Sequence, residues 1–199
     1  MLRIVVLISG GGTTLANLIA KQQAGELDVD IGLVVSSNPQ ARGLEIARRA
    51  GIAAATVERR LFAGPKEYGD AIFHLARADD AHLVVMGGFL KLIAIPPDFE
   101  RKVVNIHPSL IPAHCGQGYY GHKVHEAVLA AGDKISGCTV HYVDNQYDHG
   151  PIILQQTVPV LPDDTPDSLG ARVFAAECQA YPAALRQIAA EHAITAAGE

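Results

Sequence analysis

The feature that most constrains this chain is an apolar run that stops at three glycines. Residues 3–9 read Arg-Ile-Val-Val-Leu-Ile-Ser, which predicts a strand buried on both faces. Gly10–Gly12 and then Thr13 and Thr14 follow, and either threonine can cap a helix. The apolar residues at helical spacing are Leu15, Leu18 and Ile19. A strand, a glycine turn and a helix in this order are typical of α/β folds.

The rest of the first hundred residues continues this alternation. The apolar patterns predict a strand at 31–36, a helix at 41–50, a strand at 53–57, a helix from Pro65 and a strand at 82–86. This order predicts an α/β fold with a doubly wound, mostly parallel sheet flanked by helices.

The second half has longer loops. It predicts a strand at 102–107, a loop at 109–121, a helix with an inward face of Val124, Ala127, Val128 and Ala131, and strands at 136–143 and 152–158. A last helix begins at Thr165-Pro166-Asp167, and we expect Pro182 to kink or end it. No linker interrupts the pattern, so we expect a single domain over 1–199, with an N-terminal half to about residue 100 and a C-terminal half from about residue 101.

Charge and cysteine content exclude several classes of protein. With 16 Lys and Arg against 21 Asp and Glu, the net charge of −5 disfavours general nucleic-acid binding. The three cysteines are widely spaced, which argues against a disulfide framework or a structural zinc site. No 18 apolar residues run together. We therefore expect a cytoplasmic monomer or homodimer that binds small molecules, with no nucleic-acid or membrane partner.

The glycine turn is the first candidate site. It lacks the lysine of a P-loop, and Leu15 stands where a dinucleotide fingerprint needs a third glycine. The physics of an anion at a helix N-terminus still applies, so we expect the turn to hold a phosphate monoester. The alternative is a tight strand–helix turn without a ligand.

A second candidate is the pair Asn105 and His107. Strand alternation puts both side chains on one face, and Pro108 ends the strand after them. At the carboxyl end of a strand, an amide and an imidazole can donate two hydrogen bonds to a developing oxyanion. The alternative is a core histidine beside a turn-stabilising asparagine.

Carboxylates supply the remaining candidates. Asp144 and Asp148 share one loop, and either can support His107 as an acid–base partner or simply cap a turn, since spacing does not choose between them. Glu177 lies on the apolar side of the last helix, as a solvated edge residue or a buried acceptor for a cation.

His122 and His125 lack a third metal ligand at a recognisable spacing, so we expect an exposed helix face there.

Three motifs carry a resemblance across essentially the whole chain. Residues 5–15 (VVLISGGGTTL), 105–112 (NIHPSLIP) and 148–155 (DHGPIILQ) resemble the glycinamide ribonucleotide formyltransferases, within the folate-dependent formyltransferase family. The resemblance implies a Rossmann-like formyltransferase fold. It also implies transfer of a formyl group from 10-formyltetrahydrofolate to the amine of glycinamide ribonucleotide, a step of de novo purine biosynthesis, with no metal.

The resemblance also implies residue roles. Catalysis falls to Asn105, His107 and Asp148, which leaves Asp144 in the folate-site loop. The resemblance implies that the substrate phosphate is bound by Gly11, Gly12, Thr13 and Thr14. It also implies further substrate contacts from Glu177 and Pro108. It implies that the folate pocket is lined by Phe89, Leu90, Lys91, Leu92, Val143 and Asp144.

The chain departs from the usual family pattern in four places. Gly11–Thr14 replaces a common Asn-Gly-Ser-Asn, Lys91 replaces an arginine, segment 114–122 is longer, and His149 replaces a glycine. Rival functions are a formyltransferase acting on an amino-sugar nucleotide, a formyltetrahydrofolate hydrolase, a methionyl-tRNA formyltransferase, or a noncatalytic folate- or nucleotide-binding module. The last two are disfavoured by the low Lys plus Arg count and by the intact trio.

Overall fold

The computed structural model describes residues 1–197 and contains one seven-stranded sheet. The strands are β1 Leu2–Ile8, β2 Val29–Ser36, β3 Ala53–Thr56, β4 Leu83–Met86, β5 Val103–His107, β6 Ile135–Tyr142 and β7 Ile152–Pro159. The α-helices are α1 Thr13–Gln23, α2 Arg42–Arg49, α3 Pro65–Ala78, α4 His122–Ala131 and α5 Pro166–Ala197. Two short 3₁₀ turns lie at Arg59–Leu61 and Pro97–Phe99.

The order of strands is β3-β2-β1-β4-β5-β6-β7. β1 pairs in parallel with β2 and β4, β2 pairs in parallel with β3, and β7 runs antiparallel to β6. The predicted α/β fold class, with a mostly parallel sheet flanked by helices, is therefore confirmed. Within residues 1–197, no helix is apolar over a length that would cross a bilayer.

The apolar run that opens the chain forms the central strand of the first unit. Residues Ile4 to Ile8 of β1 have no exposed surface, as expected for a parallel strand covered on both faces. Residues 1–104 form one compact unit with the chain from Leu185, and residues 105–184 form another. Each has its own buried apolar residues, including Leu18, Ile72 and Phe73 in the first and Val128, Val140 and Val173 in the second. A single domain over 1–199 stays a prediction.

A threonine cap on α1 and a helix end at Pro182 are both absent from the described residues, while a kink at Pro182 stays a prediction. Gly12 is the N-cap of α1, with φ 73°, and no side chain caps the helix, so neither Thr13 nor Thr14 does so. Pro182 does not end the last helix, because α5 continues to Ala197. Buried residues on both sides of the proline, among them Tyr181 and Leu185, stabilise the continuous helix through packing.

The inward face of α4 also differs from the predicted one. His125 is buried with Val124 and Val128, while Ala131 is exposed, so the expected exposed histidine face is wrong for His125. A Cβ placed on Gly170 of α5 would lie 3.0 Å from the His125 ring, which shows how closely the two helices approach. Burial lowers the pKa of His125.

Gly12 meets two independent constraints at the start of α1. Its φ of 73° is left-handed, and a Cβ there would lie 2.5 Å from Gly43 Cα in α2. The amide of Gly43 also donates to the carbonyl of Gly10 at 3.1 Å. Gly11 has neither constraint, since a Cβ there would meet nothing within 4 Å.

We predict that Gly12→Ala lowers the free energy of unfolding by about 2–4 kcal/mol, because left-handed strain and overpacking add. The matched variant Gly11→Ala is expected to change it by less than about 0.5 kcal/mol. Urea denaturation of the two variants measures both values. Equal costs would contradict the assignment of the close helix–turn contact to Gly12.

Candidate active site

The site begins at the carboxyl end of β5. His107 is the last residue of that strand and is 4% exposed, and Asn105 lies two residues earlier and is half-buried. Pro108 follows at once, has no backbone N–H and cannot extend the sheet ladder. Strand geometry thus delivers the amide and the imidazole on one face, as predicted.

The two ring nitrogens of His107 have different neighbours. Nε2 lies 2.9 Å from the backbone carbonyl oxygen of His114. Because a carbonyl can only accept, Nε2 carries the proton of this hydrogen bond. Nδ1 lies 3.5 Å from Asp148 Oδ2, and that same oxygen accepts a hydrogen bond from the Gly116 amide at 2.9 Å. The nitrogen that faces the carboxylate is therefore Nδ1.

The structure separates the two carboxylates that spacing left equivalent. Asp148 faces His107 with a side chain 12% exposed. Asp144 instead lies 2.7 Å from His149 Nδ1 and accepts from the Gln146 amide at 2.8 Å. Partial burial opposes ionisation of Asp144, but these hydrogen bonds outweigh it and lower the pKa of its carboxyl.

His141 of β6 belongs to the same cluster, and sequence analysis missed it. Its Nδ1 donates to the carbonyl of Tyr142 at 2.9 Å, which leaves the lone pair of the neutral form on Nε2, and burial lowers the pKa of the ring. Asn105 Nδ2 lies 3.4 Å from that nitrogen, and Asp148 Oδ1 lies 3.8 Å from it. The signal available in sequence was a histidine in the strand just before the Asp144–Asp148 loop.

The Glu177 carboxyl has a pKa that its surroundings raise above the ordinary value. Burial raises the pKa of Glu177 from 4.5 to about 7. Burial, and after it the charge of Glu177, raises the pKa of the Cys138 thiol to about 12. A carboxyl group desolvated in this way gains from a cationic or amine partner.

The glycine turn in the first unit presents free backbone donors. The first amides of a helix, here those of Thr13 and Thr14, have no intrahelical acceptor. In α1 no side chain caps them either. Gly11 and Thr13 are exposed, so this end of the helix is open to an anion.

Residues 89–92 also lie in the first unit and differ in exposure. Phe89 is buried and stacks on Tyr68 with ring centroids 6.3 Å apart, whereas Leu90 is 60% exposed. Leu90 and Lys91 line a cavity of about 510 Å³ together with Ser9, Ser37, Arg59 and Arg60. Glu58 also lines the cavity and pairs with Arg60 at 2.9 Å, so Arg59 and Lys91 are the cations left beside the apolar surface for an anionic end of a ligand.

The structure thus brings Asn105, His107 and Asp148 together within residues 105–184. Val143, Asp144, Pro108 and Glu177 lie in this same unit, and the glycine turn and residues 89–92 lie in the other. Within residues 1–197, no three His, Cys, Asp or Glu side chains are grouped so as to hold a metal ion.

A family model described as "Formyl transferase" matches residues 2–185. The chain belongs to the formyl transferase family. Membership of this family implies a folate-derived formyl donor.

Two similar proteins of the formyl transferase family have names that state their substrate. A phosphoribosylglycinamide formyltransferase of Haemophilus influenzae is 35% identical over 188 residues, which cover 94% of this chain and 86% of the relative. The crystal structure of glycinamide ribonucleotide transformylase 1 from Symbiobacterium toebii has a TM-score of 0.89 and 36% identity, covering 96% of this chain and 89% of that chain.

Other relatives are considerably longer. A chloroplastic phosphoribosylglycinamide formyltransferase of Vigna unguiculata is 38% identical over 186 residues, which are 90% of this chain and 58% of the relative. A trifunctional purine biosynthetic protein of Drosophila melanogaster is 39% identical over 190 residues, and this chain spans only 14% of its length.

The raised pKa of Glu177 generates a prediction about pH. A folded-state pKa of about 7 against an ordinary 4.5 contributes stability that is fully present below pH 4.5 and lost as pH rises through 7. Glu177→Gln does not ionise, so its free energy of unfolding should gain on the wild type by up to about 3 kcal/mol between pH 4.5 and 8. Denaturant unfolding at several pH values measures the difference.

The matched control is Glu191→Gln, an exposed glutamate on the same helix. Its stability should run parallel to the wild type across this pH range. A Glu177→Gln curve that also runs parallel would contradict the buried-carboxyl account.

Proposed function

We propose that this protein transfers the formyl group of 10-formyltetrahydrofolate to the primary amine of glycinamide ribonucleotide, a step of de novo purine biosynthesis. The observation that carries the proposal is the cluster of Asn105, His107 and Asp148, with His107 Nδ1 3.5 Å from Asp148. An amide donor, an imidazole and a carboxylate are the groups that formyl transfer to an amine requires.

The reaction needs a stabilised oxyanion. When the substrate amine attacks the formyl carbon, a C–N bond forms and the formyl oxygen becomes negative. Asn105 Nδ2 lies 3.4 Å from His141 Nε2, an acceptor when that ring is neutral, and this contact supports an orientation that leaves the second N–H of Asn105 for this oxygen. The protonated His107 ring supplies the second stabilising charge, while its Nε2 stays bonded to the carbonyl of His114.

Proton movement is the task proposed for Asp148. Its carboxylate stabilises the cationic His107 ring and, through a water molecule, takes the proton that the attacking amine loses. The proton passes to the departing folate nitrogen as its bond to the formyl carbon breaks. The products are the formylated amide and tetrahydrofolate, and no metal is required in this scheme.

Substrate binding is proposed for the remaining residues. Gly11, Gly12, Thr13 and Thr14 are proposed to hold the substrate phosphate, and the uncapped N-terminus of α1 supports this site. Glu177 is proposed to bind the glycinamide end of the substrate, since its desolvated carboxyl favours an amine partner. Pro108, which directly follows His107, is proposed as a further substrate contact.

The folate donor is proposed to lie against residues 89–92 and the loop at Val143 and Asp144. Exposed Leu90 and Leu92 offer apolar surface, and Lys91 offers a cation for an anionic end. Lysine keeps the charge of the arginine that is usual in the family but not its planar donor fork.

The direct test is formyl transfer followed by folate absorbance, with glycinamide ribonucleotide present and with a blank that lacks it. Turnover only with the amine supports the proposal. Folate consumption in the blank would indicate a hydrolase. No reaction with either would indicate another acceptor, with amino-sugar nucleotides tested next.

We predict that His107→Ala and Asp148→Asn each lower kcat by about 100-fold or more, the scale of losing one oxyanion donor or general acid. The control Asp163→Asn removes an exposed carboxylate outside the cluster and should leave kcat unchanged. Near wild-type kcat in either cluster variant would overturn the proposed roles.

A further inference from the structure

The loop after β5 touches two of the three residues proposed for catalysis. The carbonyl of His114 accepts from His107 Nε2 at 2.9 Å, and the amide of Gly116 donates to Asp148 Oδ2 at 2.9 Å. Residues 114–116 therefore form one short backbone segment that links the imidazole to the carboxylate. The position of this segment sets the orientation of both side chains.

The segment has a backbone conformation that needs support. His114 has φ 49° and Gly116 has φ 91°, both in the left-handed region. Glycine adopts such angles freely, whereas a residue with a Cβ does so only when surrounding contacts hold it there. A specific contact must therefore hold His114.

The His114 side chain makes that contact. Its Nε2 lies 2.6 Å from Asp133 Oδ2, and the two side chains are 17% and 40% exposed. Asp133 directly follows Gly132, the left-handed C-cap of α4. Buried Val124 and Val128 anchor that helix, so Asp133 is a fixed point for the loop.

Two further hydrogen bonds hold the backbone just before the segment, one of them from a side chain inside it. Ser109 Oγ donates to the Ala113 carbonyl at 2.6 Å, and Cys115 Sγ donates to the Pro112 carbonyl at 3.2 Å. The described side-chain contacts of His114 are the hydrogen bond to Asp133 at 2.6 Å and a tilted ring contact with Tyr119, whose centroid lies 6.3 Å away. Of these two, the bond to Asp133 is the short, directional one.

We propose that His114 and Asp133 are positioning residues for formyl transfer. Their contact holds the His114 carbonyl on His107 Nε2, which keeps Nδ1 toward Asp148, and holds the Gly116 amide on Asp148. Both residues act through the backbone of 114–116. The inference rests on the proposed function, since it assigns a role within that reaction.

The test removes the Asp133 carboxylate, which holds the side chain of His114. Asp133→Ala should lower kcat about tenfold and change either KM by less than about threefold, because small displacements of reacting groups reduce turnover more than binding. Asp133→Glu should recover most of the lost turnover. The matched control Glu126→Ala removes the carboxylate partner of exposed His122 on the same helix, at 3.1 Å, and should leave kcat unchanged.

A second readout is independent of activity. Hydrogen exchange of the Gly116 amide in the full-length protein should accelerate at least tenfold in Asp133→Ala, and not in Glu126→Ala, while the amides of β6 keep their rates. Wild-type exchange at Gly116 in Asp133→Ala would overturn the proposal, whatever happens to kcat. If the wild type transfers no formyl group, the exchange experiment still decides whether the pair holds the loop.

Discussion

The arrangement of the site depends on the hydrogen bond between His107 Nε2 and the carbonyl of His114. This bond fixes which ring nitrogen is protonated first and turns Nδ1 toward Asp148. The carbonyl of Tyr142 does the same for His141, so that its Nε2 accepts from Asn105. Two backbone carbonyls, one in the loop after β5 and one at the end of β6, therefore orient the two imidazoles of the cluster, and oxyanion stabilisation depends on such pre-organisation.

Burial and backbone strain serve this arrangement. Burial lowers the pKa of His141, which favours the neutral form that can accept from Asn105, while it raises the pKa of Glu177 to about 7. His114 and Asp148 both have φ of 49°, an unfavourable conformation for residues with a Cβ. The buried residues of β5 and β6 next to these loops, among them Val103, Val104 and Val140, supply stability that offsets such local costs.

Local patterns predicted much of this structure because strands and helix ends depend on neighbouring residues. The alternation of Asn105 and His107 followed from strand geometry alone. The choice of Asp148 over Asp144 did not, since both follow the same strand and the choice depends on the loop backbone. His141 was missed because its role comes from a hydrogen bond to another strand, and His125 and Pro182 were misjudged because tertiary packing overrides local preference.

The most direct test of the central claim is ¹⁵N NMR of the His107 ring, assigned by comparison with His107→Asn, at a pH where the ring is neutral. The account predicts a protonated Nε2 and an unprotonated Nδ1, because Nε2 donates to the His114 carbonyl. A ring protonated at Nδ1, or an even mixture of the two tautomers, would contradict it, since Nδ1 would then not be the nitrogen that gains its proton beside Asp148.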